Sequence, residues 1–158
     1  MNLPAGWEAR PACNGDADAV RALVFGVLRE YGLAPDPAGT YADLNDIEAH
    51  YWRTGGWFLV VTDAGGGIVG TIALHRREGG TAELRKMYLA PTARGRGVGK
   101  SMLEQALTEA RRRGYQRVIL ETAAVLREAV ALYRHYGFQP IATAGLAPRC
   151  DLVMSLDL

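Results

Sequence analysis

The stretch LAPTARGRGVGKSMLEQAL, Leu89–Leu107, places two arginines, three glycines and a lysine within seven residues, directly before an apolar helical pattern. Glycines lack side chains, so an anion can approach the backbone closely. The helix that follows adds free amides and the positive end of its dipole. The stretch therefore predicts an anion-binding loop, with a solvated basic turn as the alternative. The candidate binding residues are Arg94, Gly95, Arg96, Gly97, Val98, Gly99, Lys100 and Ser101.

The elements on both sides of this loop predict an α+β (mixed α/β) fold. The strand TAELRKMYL (81–89) precedes the loop, and a helix from about Gly97 to Arg113 follows it, with apolar residues at a 3.6-residue period. Strand and helix patterns along the rest of the chain do not alternate as in a doubly wound sheet. They are strands at 7–12, 57–62, 68–76, 117–121, 138–143 and 150–158, a helix capped by Asp16, a shorter helix at 43–52 and a helix at 126–136.

Two other glycine patterns are interpreted as accidental matches. Gly65, Gly67 and Gly70 satisfy the dinucleotide-binding spacing, but a strand follows them, whereas that motif needs a helix. This pattern predicts a hairpin turn instead. Gly99-Lys100-Ser101 resembles the end of a P-loop, but Arg94 occupies the position of the first glycine.

The bulk properties exclude several classes of protein. The 158 residues carry a net charge of +1 and a mean hydropathy of −0.04, which predicts one domain (1–158) without a nucleic-acid or membrane partner. Two distant cysteines and three scattered histidines give no disulfide framework and no metal-ligand spacing. We therefore expect no metal and a cytoplasmic location.

Arg94-x-x-Gly97-x-Gly99 resembles the [QR]-x-x-G-x-[GA] signature of the GNAT superfamily, the Gcn5-related N-acetyltransferases. The downstream LYRHYGF (132–138) also resembles a conserved segment of that family, and the strong resemblance covers about Thr81–Ile141. It implies a mixed, mostly antiparallel sheet of about six to seven strands with about four helices. It also implies an acyltransferase that moves the acetyl group of acetyl-CoA to a primary amine.

The resemblance assigns the donor site residue by residue. The pyrophosphate would lie on the loop Arg94–Ser101, and the pantetheine arm would pair with the backbone of Met87, Tyr88 and Leu89. That pairing needs two central strands to part, commonly at a bulge. The amide of Leu89 would then stabilise the oxyanion. Many relatives carry an asparagine at the position of Leu126, which puts the usual CoA contacts of that helix in doubt.

The resemblance also suggests the acid and the base. Tyr133 occupies the position of the general acid that protonates the leaving thiolate, although its apolar face also suits the core, and Tyr136 is a nearby competitor. Glu83 and Glu121, directly or through water, are the candidate bases, with Glu83 slightly favoured. Either glutamate could instead pair with an arginine such as Arg85 or Arg117.

The acceptor is expected to be a small-molecule amine or a peptide amine. The segment 31–52 would wall its site, and four acidic residues there could attract a cationic amine or simply cap local structure: Asp36, Asp43, Asp46 and Glu48. Homodimers are common for this fold, so a homodimer is among the expected assemblies. The alternatives are a non-catalytic acyl-CoA sensor and a P-loop nucleotide-binding protein.

Overall fold

The computed structural model describes residues 1–142, 146 and 150–158. These residues form seven strands and three α-helices, together with short 3-10 turns and one π-helical turn, Glu48–Trp52. The strands are β1 (Glu8–Pro11), β2 (Trp57–Thr62), β3 (Ile68–Arg76), β4 (Thr81–Leu89), β5 (Arg117–Thr122), β6 (Gln139–Pro140) and β7 (Leu152–Asp157). The helices are α1 (Ala17–Glu30), α2 (Val98–Arg112) and α3 (Arg127–His135).

The strands of the described residues form one sheet in the order β1-β2-β3-β4-β5-β7-β6. All neighbouring strands are antiparallel except β4 and β5, which are parallel. A parallel pair needs a crossover connection, and α2 supplies it. This mixed, mostly antiparallel sheet with helices confirms the predicted α+β class.

Helices cover both faces of the sheet. The apolar side of α1 packs on one face with Tyr41, Tyr51 and Phe58, all fully buried. On the other face, α2 and α3 share a core with residues of β2–β5. The apolar residues predicted for α2 are all buried: Val98, Met102, Leu103, Ala106, Leu107 and Ala110. The loop Arg94–Ser101 is thereby held at the end of the central strands.

Strands β4 and β5 separate halfway along β4. Their pairing runs only from Thr81 with Arg117 to Glu83 with Ile119. Just beyond that point β4 contains a bulge, where its register against β3 shifts and Lys86 adopts a φ of +54°. A positive φ is uncommon for a residue with a side chain and marks a site that the surrounding structure holds in place. The expected parting of two central strands is therefore present.

Two predicted elements differ from the structure. Residues 43–52 form a 3-10 turn (Ala42–Asn45) and the π-helical turn rather than one short helix. Asp46 lies between them with a non-helical ψ of 83°, and its side chain accepts a hydrogen bond from the Ala49 amide, which starts a new turn. The predicted strand 138–143 contains only β6, and part of it lies outside the described residues. Its proline lacks an N–H donor for a longer ladder.

The glycines at 65–70 belong to a hairpin, as predicted. The Asp63 amide donates to the Gly67 carbonyl at 2.9 Å, and β2 and β3 pair on either side of the turn. The chain continues from Gly70 along β3 and not into a helix. A dinucleotide motif therefore has no helix N-terminus here.

Gly56→Ala should destabilise the protein by about 1–3 kcal/mol. A Cβ at Gly56 would lie 2.6 Å from the Leu74 carbonyl oxygen and 2.9 Å from that of Tyr51, both backbone atoms. Gly26→Ala is the matched control, because a Cβ at this exposed helical position meets nothing within 4 Å. Gly26→Ala should add about 0.5–1 kcal/mol through helix propensity. Urea unfolding measures both, and equal effects of the two substitutions would contradict this packing.

Candidate functional site

A groove of about 310 Å³, here called the α2 groove, opens at the N-terminus of α2. It lies between that helix, the end of β4, the C-terminus of α1 and the start of α3. Nine of the residues predicted to bind the donor line it: Met87, Tyr88, Leu89, Arg94, Gly95, Gly97, Val98, Gly99 and Lys100. The fold therefore brings nine of the eleven residues predicted to bind the donor to one surface.

Two glycines bring the helix end close to β4. Gly97 is the residue before α2 and has a φ of +75°, a conformation that glycine adopts without strain. A Cβ at Gly99 would lie 2.9 Å from Cδ1 of Leu89, so the Leu89 side chain packs against the helix where Gly99 has no side chain and would have to move if one were added. The first amides of α2 lack acceptors within the helix, and amides in this position at a helix N-terminus are suited to bind an anion.

Arg94 fixes the loop to two neighbouring elements. Its guanidinium donates to both carboxylate oxygens of Glu30, at 2.5 and 2.8 Å, and to the Leu89 carbonyl at 3.1 and 3.2 Å. It also lies 5.7 Å from the centre of the Tyr31 ring. The hydrogen bonds to Glu30 are the first cause of the raised pKa of Arg94. Arg94 therefore joins the loop to α1 and β4.

Two further residues were predicted to bind the acetyl donor but do not line the groove, namely Arg96 and Ser101. Arg96 donates to the Thr92 carbonyl at 3.0 Å and lies over the Trp7 ring. The Ser101 hydroxyl is buried and exchanges hydrogen bonds with the backbone of Asn2, at 2.9 and 3.1 Å. This Ser101 contact ties the N-terminal segment to α2.

A second cavity, of about 520 Å³ and here called the central cavity, lies where β4 and β5 separate. It shares four lining residues with the α2 groove, namely Met87, Tyr88, Leu126 and Ala129, so the two spaces adjoin. The three predicted catalytic residues, Tyr133, Glu83 and Glu121, all line the central cavity. Leu126, at the position of the asparagine of many relatives, lies at the junction and supplies an apolar surface.

Glu83 is held between two arginines. Its carboxylate is buried, pairs with Arg77 and lies 2.9 Å from Nε of Arg85. Burial raises the pKa of Glu83, but the two arginines outweigh it and hold the pKa below its ordinary value. A carboxylate stabilised in this way is a weak proton acceptor.

Glu121 and Tyr133 are placed differently. Glu121 is half-buried on β5, and no cationic side chain among the described residues pairs with it; Arg117 pairs with Asp157 instead, at 2.8 Å. Tyr133 is 5% exposed and its ring centre lies 5.7 Å from that of Phe138. Its ring is therefore part of the core while its residue also lines the cavity. Tyr136 lies elsewhere and donates to Glu104 at 2.5 Å.

The bulge and the segment 31–52 are joined by a buried ion pair. Nζ of Lys86 lies 3.1 Å from Oδ1 of Asp43 and 4.4 Å from the centre of the Tyr41 ring. Asp43 also accepts a hydrogen bond from Tyr51 at 2.5 Å. Burial and the neighbouring Asp43 hold the pKa of Tyr51 well above its ordinary value, so this hydroxyl stays protonated. Tyr41 bonds to the Tyr88 hydroxyl at 3.0 Å.

The other acidic residues of the segment 31–52 are engaged in local structure. Asp36 accepts hydrogen bonds from the Gly39 and Thr40 amides, at 2.9 and 3.0 Å. Asp46 accepts from Ala49, and Glu48 accepts from the Asn14 amide at 3.2 Å. Of the two roles expected for these residues, the structure favours capping.

The cationic side chains that line the central cavity were not among the site residues predicted from the sequence. Arg77, Arg85 and Lys86 line the cavity, beside His50 from the π-helical turn. A signal was present, because ELRKMYL places two adjacent cations and a glutamate inside a predicted strand. Such residues are rarely buried without partners or a function. The bulge that turns Lys86 toward Asp43 depends on tertiary contacts that strand periodicity does not show.

Comparison with known proteins gives the family. Residues 25–138 match the acetyltransferase (GNAT) family. An uncharacterized N-acetyltransferase, YjgM of Escherichia coli K12, is 39% identical over 133 residues, covering 80% of this chain and 78% of that protein.

The chain belongs to the GNAT family.

Solved structures of the family share the fold. A GNAT-family acetyltransferase from Staphylococcus aureus Mu50 superposes with a TM-score of 0.89 at 20% identity, over 96% of this chain and 98% of that one. The putative acetyltransferase yncA from Salmonella typhimurium, solved with acetyl-CoA, gives a TM-score of 0.75 at 23% identity, over 97% and 94% of the two chains. The present protein is thus an acetyl-CoA-dependent N-acetyltransferase of the GNAT type, as the sequence predicts.

The described part of the chain contains neither a membrane-spanning helix nor a cluster of metal-binding side chains. None of its helices is long and apolar enough to cross a membrane. Nor do its histidines, cysteines and carboxylates gather in a group of three that could hold a metal ion.

Arg94→Ala should weaken acetyl-CoA binding by about tenfold, equivalent to about 1.4 kcal/mol, because the loop loses its ties to α1 and β4. Glu30→Ala removes only the contact between Arg94 and α1, and it should weaken acetyl-CoA binding by less than Arg94→Ala does. Isothermal titration of acetyl-CoA measures both. Arg29→Ala, exposed one residue away on α1, is the control and should bind as the wild type does. If Glu30→Ala tightens binding, Arg94 acts by direct contact with the donor and this account of its role is wrong.

Proposed function

We propose that the protein acetylates a primary amine by direct transfer in a ternary complex, with Tyr133 as general acid and Glu121 as general base. One observation supports this proposal: the α2 groove and the central cavity adjoin where β4 and β5 separate. A donor in the α2 groove and an amine in the central cavity would meet there. Direct transfer needs this arrangement and no covalent enzyme intermediate.

The donor would use the elements that the α2 groove presents. Its pyrophosphate fits the amides at the start of α2, with the helix dipole and Lys100 as further positive charge. Its pantetheine arm would pair with the part of β4 beyond Glu83, which has no strand partner on the β5 side. That pairing would bring the thioester near Leu89, whose amide is the proposed oxyanion donor.

Tyr133 is proposed as the acid because it reaches the central cavity from α3. When the amine nitrogen bonds to the thioester carbon and the carbon–sulfur bond breaks, the sulfur leaves with the electron pair. A phenol proton transferred from Tyr133 would neutralise it and give the free thiol. The tyrosine regains a proton from the nitrogen of the new amide through water, so no net proton is consumed in this exchange.

Glu121 replaces Glu83 as the favoured base. The two arginines on Glu83 hold its pKa below the ordinary value, whereas Glu121 has no such pair among the described residues. An ammonium acceptor must lose one proton before its nitrogen can attack, and Glu121 would take that proton directly or through water. Glu83 would instead orient Arg85 and Arg77.

Tyr133→Phe should lower kcat by about 100-fold, since general acid catalysis contributes at least that much in comparable sites. Acetyl-CoA affinity should stay within about threefold, because the ring and its packing remain. Tyr136→Phe is the matched control: this tyrosine follows the same helix but bonds to Glu104 outside the cavity. Steady-state rates of CoA release with an amine panel measure the effect. Equal losses in the two variants would exclude Tyr133 as the acid.

Glu121→Gln should lower the rate by about 100-fold at pH 7. The loss should shrink as pH rises, because alkaline buffer supplies the neutral amine without the carboxylate. Glu83→Gln should behave differently: it leaves two arginines without their carboxylate, and we expect a loss of stability of about 1–3 kcal/mol. Its rate profile should keep the wild-type pH dependence. The reverse pattern, with recovery at high pH in Glu83→Gln alone, would restore Glu83 as the base.

A further inference from the structure

A row of alternating positive and negative side chains lies along one wall of the central cavity. Arg77 pairs with Glu83, Glu83 lies 2.9 Å from Arg85, and Arg85 lies 3.7 Å from Asp43. Lys86, which pairs with Asp43, is the last member of this row. Three cations and two anions give this wall a formal charge of +1, while Glu121 on the β5 side brings the formal charge of the cavity lining to zero. A cavity with one positive wall and one negative wall suits a ligand that carries both charges.

Arg85 is the member of this row that has further N–H donors available for a ligand. Its side chain is 27% exposed and lines the cavity, although it sits on a central strand. A guanidinium carries five N–H donors in a fixed fork. The contact to Asp43 is too long for a hydrogen bond, the contact to Glu83 occupies Nε, and the Tyr51 hydroxyl also interacts with the guanidinium. The remaining N–H donors can bind an incoming carboxylate.

Glu121 faces Arg85 across the gap between the strands. Glu83 on β4 and Ile119 on β5 form the last pair, and Arg85 and Glu121 each follow two residues later. Because side chains alternate along a strand, both point to the same face as that pair. Paired strands lie about 4.8 Å apart, and the distance grows beyond the last pair. A cationic and an anionic group thus flank one small space.

We propose that the acceptor is a primary amine that also carries a carboxylate, with Arg85 binding the carboxylate and Glu121 facing the amine. This proposal rests on the proposed function and names its substrate class. A polyamine fits less well, because Asp36, Asp46 and Glu48 of the segment 31–52 already accept hydrogen bonds from backbone amides. A zwitterion of the amino-acid type matches both walls.

The experiment compares matched amines with the wild-type protein and acetyl-CoA. One set is the L-amino acids and short ω-amino acids, the second is their carboxamides, and the third is alkylamines, polyamines and a peptide N-terminus. For the best amino acid, kcat/KM should exceed that of its carboxamide by about 10- to 150-fold, the range for a hydrogen bond to a charged group. Release of CoA thiol reports the rate.

Substitutions then connect that preference to Arg85. Arg85→Gln should raise KM for the amino acid and reduce its preference over the carboxamide, measured as the ratio of kcat/KM, to below about threefold. Arg85→Lys keeps the charge but loses the fork, so it should give an intermediate preference, and it carries the test if Arg85→Gln does not fold. Arg117→Gln is the control, because Arg117 pairs with Asp157 at the exposed start of β5 and lines none of the described cavities.

Four outcomes overturn the proposal. Equal rates for amino acids and carboxamides would show that no carboxylate is recognised. Turnover confined to the third set would also exclude the carboxylate while leaving acetyl transfer intact. Absence of turnover in all three sets would contradict both this inference and the proposed function. A preference for the amino acid that survives Arg85→Gln and Arg85→Lys would exclude Arg85 as its source.

Discussion

The separation of two parallel strands is the constraint on which the rest of this structure depends. Beyond Glu83 and Ile119, β4 and β5 no longer satisfy each other's backbone groups. Unpaired strand amides in a protein interior cost free energy unless another group bonds to them. The bulge at Lys86 maintains the separation, and the buried pair with Asp43 holds the bulge. The α2 groove and the central cavity both exist because this gap stays open.

The two sides of this gap differ, because backbone groups dominate one side and charged side chains the other. At the proposed donor site, glycines and helix amides line the groove, so a donor bound there would need few specific side chains. At the proposed acceptor site, the charges of Arg85, Glu83 and Asp43 line the wall of the central cavity. Side chains can change without altering the fold, which is consistent with a family that keeps its fold at low sequence identity.

Sequence alone predicts helix α2, its glycine-rich start and the hairpin turn because their signals are local. Gly97 and Gly99, the period of α2 and the turn at 63–67 each depend on neighbours in the chain, and each is present in the structure. The proposed acceptor site depends on long-range contacts. The ion pair of Lys86 with Asp43 joins residues 43 positions apart, and the pairing of Glu83 with both Arg77 and Arg85 changes its expected chemistry. Periodicity carries no information about such contacts, so the preference between two glutamates could not be decided there.

Amide hydrogen exchange with and without acetyl-CoA tests the central claim most directly, namely that the donor occupies the gap between β4 and β5. The account predicts slower exchange at residues 87–89 and in the first turn of α2, at 97–100, when acetyl-CoA is present. The hairpin turn at 63–67 should exchange at the same rate in both samples and serves as the internal reference. Slower exchange at 63–67 with no change at the end of β4 would contradict the account.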